Sequence, residues 1–263
     1  MFPGFTIFGK FISSYSICAI AGIFTAFPLS IHWYKRRGGC DISLINVYLF
    51  GAIGVFLGMH ILFGFTNIPL WHIMTEAVDF KDFIMKFAQI FGGSVFYGGL
   101  LGGLLAGGIC IRVQKLDVGI TTDCAAPALA LFHCFGRIGC FMGGCCYGVE
   151  SEHGIIFTRS LIASANGVPR VPVQLYEAAF ELALFFALWA LLSKGVLKNR
   201  LLLVYLITYA VGRFILEFWR GDEYRGFLFG LSTSQIISIL VFAVSAVIFI
   251  IKPQKRAESV EPQ

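Results

Sequence analysis

The chain has 263 residues, of which 57% are hydrophobic and only 13% charged, and its mean hydropathy is +0.81. Such a balance excludes a water-soluble globule and points to an all-α polytopic membrane protein, a bundle of transmembrane helices. The formal net charge of +5 calls for no nucleic acid, because anionic lipid at the inner leaflet is a sufficient partner.

A helix needs about 20 apolar residues to cross about 30 Å of hydrocarbon. Windows of that length fall at 12–31, 44–65, 88–111, 120–141, 173–192, 201–220 and 231–251, which predicts seven spans within one domain, residues 1–252. The first window lacks a basic n-region and a small-residue cleavage site and runs straight into a basic loop. It is therefore expected to be a retained span and not a signal peptide. Between the second and third windows, the stretch Gly64 to Asp82 carries Trp71, His72, Glu76 and Asp79, which predicts a short amphipathic arm on the outer membrane face. Residues 253–263 are too polar to pack and are expected as a cytoplasmic tail.

Basic residues set the orientation. With the N-terminus outside, the inner side receives Lys35, Arg36, Arg37, Arg112, Lys115, Lys194, Lys198, Arg200, Lys252, Lys255 and Arg256, eleven of the twenty Lys and Arg. Of the other nine, Arg137, Arg213 and Arg220 belong to unusual intramembrane sites, leaving eleven against six. The positive-inside rule then gives N-out, C-in. This topology puts the end of the fourth span, the loop up to Arg170 and the Arg213 to Arg225 stretch together on the outer side.

Those segments hold the charges that an apolar chain would not keep without reason. An arginine near hydrocarbon costs at least about 2.5 kcal/mol, so it has a partner or a task. Arg137 lies in GRIGCFMGGCCYG (Gly136 to Gly148), and Arg213, Glu217 and Arg220 lie in GRFILEFWRGD. Spacings of four and three residues place the latter three on one helix face, a cluster able to hold an anionic headgroup. Gly98, Gly99, Gly102, Gly103, Gly107 and Gly108 follow Tyr97 in a run that allows close helix packing. Tyr97, Gly98 and Gly99 can also line a ligand cavity, and Tyr97 alone can be an interfacial aromatic.

Taken in order, these segments resemble the prolipoprotein diacylglyceryl transferase family, bacterial inner-membrane enzymes, along most of the seven spans. GRIGCFMGGCCYG resembles the family's GRxGNFxNxExxG, VPVQLYEA its HPSQLYEA, FYGGLLGG its FHGGLxG, and GRFILEFWRGD its RFxxExxR. Tyr15 falls near the place of the family's functional tyrosine. The chain departs from the pattern at its polar members. Cys140 and Gly143 stand where asparagines are usual, Cys145 where a glutamate is, and Tyr97 and Val171 where histidines are.

The resemblance implies transfer of the diacylglyceryl group of phosphatidylglycerol to the lipobox cysteine of a prolipoprotein signal peptide. A thioether forms and glycerol 1-phosphate leaves, with the active site toward the outer leaflet of the bacterial plasma membrane. The departing phosphate suits the planar donor fork of arginine, which makes Arg137 and Arg213 its expected neutralising groups. A thiol with a pKa near 8.5 also needs a base. Glu217 is one choice, its alternatives being a counter-ion to Arg213 or Arg220, or a plain ion pair. His133, four residues before Arg137, can receive a proton or simply pack. Tyr97 is a better phosphate donor than base. Tyr15, Gly98, Gly99, Gly136, Gly139, Cys140, Gly148, Gln174, Tyr176, Glu177 and Arg220 are the expected substrate-binding positions, with Gln174, Tyr176 and Glu177 organising the outer rim.

Of the eight cysteines, Cys18, Cys110, Cys124 and Cys134 read as small buried residues. Cys140, Cys145 and Cys146 leave three readings open: packing, a disulfide from Cys140 to Cys145 or Cys146, or metal and redox chemistry. Their spacing is not CxxC and no histidine cluster accompanies them, so neither a metal nor a cofactor is expected. The absence of GxxxxGK, HExxH and GxSxG argues against a nucleotide-driven pump, a zinc protease and a serine hydrolase. The competing reading is a non-catalytic or transport protein whose buried arginines bind an anionic lipid or solute.

Overall fold

A computed structural model describes residues 2–66, 68–93, 95–160, 162–221, 227–228 and 230–251. The expected tail, 253–263, lies outside the described residues. After a hairpin of β1 (Gly4–Ile7) and β2 (Lys10–Ser13) come α1 (Ser14–Arg36), α2 (Asp41–Thr66), α3 (Phe80–Phe91), α4 (Phe96–Val113) and α5 (Val118–Gly143). The antiparallel pair β3 (Glu150–Ile156) and β4 (Pro169–Arg170) leads into α6 (Val173–Ser193) and α7 (Leu201–Leu216), and a small hairpin of β5 (Phe227–Leu228) and β6 (Leu231–Ser232) precedes α8 (Thr233–Ile251). Among the described residues, six helices are long and apolar enough to cross a membrane: α1, α2, α5, α6, α7 with its short 3₁₀ extension, and α8. The chain is a multi-pass membrane protein.

The third predicted window is where sequence and structure part. Its first residues belong to α3, the chain breaks at Gly92 and Gly93, and the apolar stretch that follows, Tyr97–Val113, is shorter than the six. A hydropathy average cannot see this break, because α3 keeps large apolar residues beside Lys81, Asp82 and Lys86 and its mean stays high. The start of α3 is fixed by a reciprocal cap: Asp79 accepts from the Asp82 amide at 2.6 Å, and Asp82 accepts from the Val78 amide at 3.1 Å.

Two compact units divide the described chain, Tyr34–Val118 and the remainder made of Met1–Trp33 with Gly119–Gln263. In the first, α2 and α4 cross with backbones touching. A Cβ on Gly58 would strike the Gly98 carbonyl oxygen, and one on Gly102 would strike that of Gly54. The glycine run therefore serves helix packing, the role small residues have where no hydrophobic effect drives association.

In the second unit α1 lies along α5, with Gly22 beneath Phe132 and Phe135 and Gly139 beneath Tyr15 and Cys18. Helix α7 packs on α6 and α8. The turn between α6 and α7 is pinned from α5 by Asp123, 1% exposed, which accepts from the backbone amides of Asn199 at 2.5 Å and Leu201 at 2.8 Å. Asp123→Ala leaves the buried Leu201 amide and the half-buried Asn199 amide without that acceptor and is expected to cost about 1.5–3 kcal/mol, read as a fall in the thermal unfolding midpoint in detergent. An unchanged midpoint would show the amides find another partner.

Candidate functional site

The site is built from three stripes of polar residues on α5, α6 and α7. Spacing of three or four residues puts side chains on one helix face, and each helix uses it. His133 and Arg137 lie on α5; Gln174, Glu177 and Glu181 on α6; Tyr205, Tyr209, Arg213 and Glu217 run along α7 and its last turn. Pro172 sits at the α6 N-cap, where a missing amide hydrogen costs nothing, so the helix starts at Val173 and delivers Gln174 and Glu177 from its first two turns.

Glu177 is the centre. It is 1% exposed and one carboxylate oxygen accepts from Arg137 at 2.9 Å, while the other lies 3.6 Å from Arg213 Nη1. Arg213 in turn pairs with Glu217 one turn away and reaches Ser234 Oγ of α8 at 3.4 Å. The Tyr209 hydroxyl points at Glu177 from 3.5 Å. His133 bridges the two carboxylates of α6, its Nδ1 3.0 Å from Glu181 and its Nε2 3.8 Å from Glu177. Tyr205 closes on His133 Nδ1 at 3.5 Å. Alternation of sign keeps these charges inside an apolar bundle: a buried ion stays only if paired and hydrogen-bonded. The hydrogen bonding is incomplete on both sides: Arg137 Nε and Arg213 Nη1, and also Glu177 Oε2 and both Glu181 carboxylate oxygens, are buried and make no hydrogen bond among the described residues.

A loop covers the end of α5. Gly144, at φ +75°, closes the helix by donating to the Phe141 carbonyl at 3.2 Å, and the Cys145 amide donates back to the Cys140 carbonyl at 3.1 Å. This is the double bond pattern of a glycine-terminated helix end, which lays the second residue beyond the end over the one five positions earlier. A Cβ at Gly144 would also meet the Ser160 side chain at 2.5 Å. Gln174, buried, donates to the Cys145 carbonyl at 2.7 Å. Gly148 pairs with Arg220 and donates to Val171 at 3.1 Å, and Gly221 donates to the Tyr147 carbonyl at 3.0 Å. Hence the loop, the entry to α6 and the exit from α7 form one knot.

Within it, the Sγ atoms of Cys140, Cys145 and Cys146 lie within 4.8 Å of one another. All eight cysteines are free thiols, so the disulfide reading is not what the structure holds. Contacts from the Cys140 and Cys145 thiols, then the charges of Arg220 and Arg137, hold the Cys146 thiol well below the usual thiol range.

The structure brings Arg137, Arg213, Glu217, His133, Gln174 and Glu177 into one cluster and sets Tyr15 near Arg137 and the three cysteines. Two expectations change. Glu177 is not at a rim but at the cluster's centre. Arg220 does not share the face of Arg213 and Glu217, because the helix ends at Leu216, tightens to a 3₁₀ turn over Glu217–Trp219 and becomes extended at Arg220. Tyr176, one residue from Glu177, points outward and is 53% exposed. Tyr97, Gly98 and Gly99 belong to the other unit. A Cβ on Gly136 would meet open space, whereas one on Gly148 would strike the Val171 carbonyl. Glu181, Tyr205 and Tyr209 were missed, although Glu181 follows Glu177 by four residues inside an apolar span and carries the same signal that singled out Arg137.

Comparison with known proteins gives a family match and close relatives over nearly the whole length. Residues 4–251 match the family model described as prolipoprotein diacylglyceryl transferase. The phosphatidylglycerol–prolipoprotein diacylglyceryl transferase 2 of Clostridium perfringens is 38% identical over 240 residues, 89% of this chain and 89% of the relative. The corresponding transferase of Clostridium tetani is 35% identical over 248 residues, covering 93% and 95%. That of Campylobacter jejuni is 30% identical over 256 residues, covering 94% and 91%.

Proposed function

We propose, since this chain belongs to the prolipoprotein diacylglyceryl transferase family, that it moves the diacylglyceryl group of phosphatidylglycerol onto the lipobox cysteine of a prolipoprotein signal peptide. The thiol sulfur attacks the glycerol carbon bonded to the phosphate oxygen. That C–O bond breaks, a C–S thioether forms, the thiol proton passes to a base, and glycerol 1-phosphate leaves. The observation that supports this reading is the pair of arginines, Arg137 half-buried and Arg213 buried, that share Glu177, with Arg137 Nε left without a hydrogen bond among the described residues.

Both guanidinium groups are held by carboxylates before substrate arrives, so a phosphate meets preorganised charge. Donors aimed at developing negative charge are the largest single catalytic contribution in most enzymes. Glu217 acts as the counter-ion that fixes Arg213, because it is already engaged by it. His133 acts with Glu181 to steady Glu177 from the inner side of the cluster. Tyr15 and Gly139, packed together where α1 meets α5, form a wall for the diacylglyceryl chains, and exposed Tyr176 meets surrounding lipid.

The basic-residue distribution supports an N-out, C-in arrangement in a bacterial plasma membrane, with the short α4 as a seventh crossing and the arginine cluster toward the outer leaflet. The Gly64 to Asp82 stretch forms the arm on the outer surface and leads into α3, whose Phe80, Phe83, Ile84, Met85 and Phe87 are exposed and suit contact with lipid. The competing role, passive binding or transport of an anionic lipid or solute, is weaker because the charges cluster at one end of α5 and α7 instead of lining a path.

Complementation separates the two. In a bacterium depleted of its own diacylglyceryl transferase, expression of this chain is expected to restore growth and lipoprotein maturation. Membrane insertion without rescue would contradict the transferase reading.

A further inference from the structure

We propose that Cys140, Cys145 and Cys146 form a three-thiolate binding site for a thiophilic cation with a filled d shell, of the Zn²⁺ and Cd²⁺ type. The sequence spacing is only a weak sign of this, because it is not one of the usual zinc patterns. The fold creates it. The glycine-terminated end of α5 sets Cys145 over Cys140, with the Cys145 thiol 3.7 Å from the Cys140 carbonyl oxygen. Cys146, the next residue, sits at φ +59°, a left-handed conformation that a non-glycine residue adopts only at a cost in strain. That conformation belongs to a backbone tied down on both sides, by the Gln174 bond to the Cys145 carbonyl and the Gly221 bond to the Tyr147 carbonyl.

The geometry is close to what such an ion needs. With Zn–S bonds of about 2.3 Å, three thiolates around zinc stand about 3.8–4.0 Å apart, and the three sulfurs here all lie within 4.8 Å of one another. Side-chain rotation of less than an ångström closes the difference. Cys140 is buried and Cys145 and Cys146 are half-buried, so an ion enters from the loop side and exchanges little water once bound.

Charge favours the complex as well. Three thiolates around a divalent cation carry a net charge of −1, and Arg137 and Arg220 both act electrostatically on Cys146. The arginines repel a bare dication yet attract the anionic complex, which favours an ion bound by all three sulfurs over one held by a single thiol. None of this depends on the transferase reading.

The test uses the full-length chain in detergent, kept reduced with a phosphine and titrated with CdCl₂ alone. The expected result is an ultraviolet thiolate-to-cadmium charge-transfer band that saturates at one ion per chain. Cys145→Ser and Cys146→Ser should each weaken binding by about 10-fold or more, while Cys40→Ser, at an exposed thiol in the other unit, should leave it unchanged. The unmodified chain supplies a readout independent of variant folding: Cd²⁺ should slow alkylation of Cys145 and Cys146, located by peptide mass, but not of Cys40. Absence of the band, serine variants that bind as well as the parent, equal alkylation with and without the ion, or isolation with Cys140 bridged to Cys145 or Cys146 would each overturn the proposal.

Discussion

Replacement of Arg137 by alanine is expected to slow diacylglyceryl transfer by about 10²–10³-fold, the loss of about 3 kcal/mol that follows removal of one preorganised donor group. Arg137 sits on α5 with one donor on Glu177 and its Nε unused, so the variant removes the donors meant for phosphate together with a counter-ion. Arg137→Lys separates the two contributions. Lysine keeps the positive charge beside Glu177 but offers a point charge where arginine offers a planar fork. It is expected to restore insertion and thermal stability while recovering only part of the rate. Initial rates at saturating phosphatidylglycerol, normalised to inserted protein, check this; equal rates for parent and alanine variant would remove Arg137 from the reaction.

The second large effect is on stability. Glu177→Ala leaves Arg137 and Arg213 buried side by side without the carboxylate they share, and breaking one partner of a buried pair costs about 3–5 kcal/mol. Glu177→Gln keeps the volume and an acceptor for Arg137, so a smaller loss is expected. A surface pair sets the scale for comparison. Glu150 lies 3.6 Å from Arg170 with its side chain 67% exposed, and Glu150→Ala should change stability by no more than about 1 kcal/mol. Thermal unfolding of the three variants in one detergent should rank Glu177→Ala below Glu177→Gln and Glu150→Ala near the parent. Equal midpoints for Glu177→Ala and the parent would mean that another group balances the two arginines.

Charged residues in apolar surroundings made most of the site legible. Arg137, Arg213, Glu217 and His133 announced themselves because an ion in hydrocarbon demands a partner, and the structure supplies those partners within the same cluster. Glu177 was legible as polar but not as central, because its place at the start of a span resembles the membrane rim. Only the inward pitch of α6 shows that its face points at α5 and α7. Glu181 carried the same signal and was overlooked. Arg220 shows the opposite limit: periodicity assumes the helix continues, and no propensity marks the change to a 3₁₀ turn after Leu216. Hydropathy located six membrane helices within a few residues of their ends, yet blurred α3 into α4, since averaging erases a two-glycine break. The cysteine trio stood out in the sequence, yet its spacing left packing, a disulfide and metal or redox chemistry open, for a related reason. Its atoms meet through a helix end at Gly144 and a left-handed Cys146, neither of which a spacing rule encodes.

The central claim is that paired arginines on α5 and α7 neutralise the departing phosphate. Its most direct measurement is the mass of a lipobox peptide after incubation with phosphatidylglycerol vesicles and the purified chain. The parent is predicted to add one diacylglyceryl group to the peptide cysteine and to release glycerol phosphate in equal amount, whereas the Arg137→Ala, Arg213→Ala double variant, inserted at the parent level, gives no adduct. Ready formation of the adduct by that double variant would contradict the account.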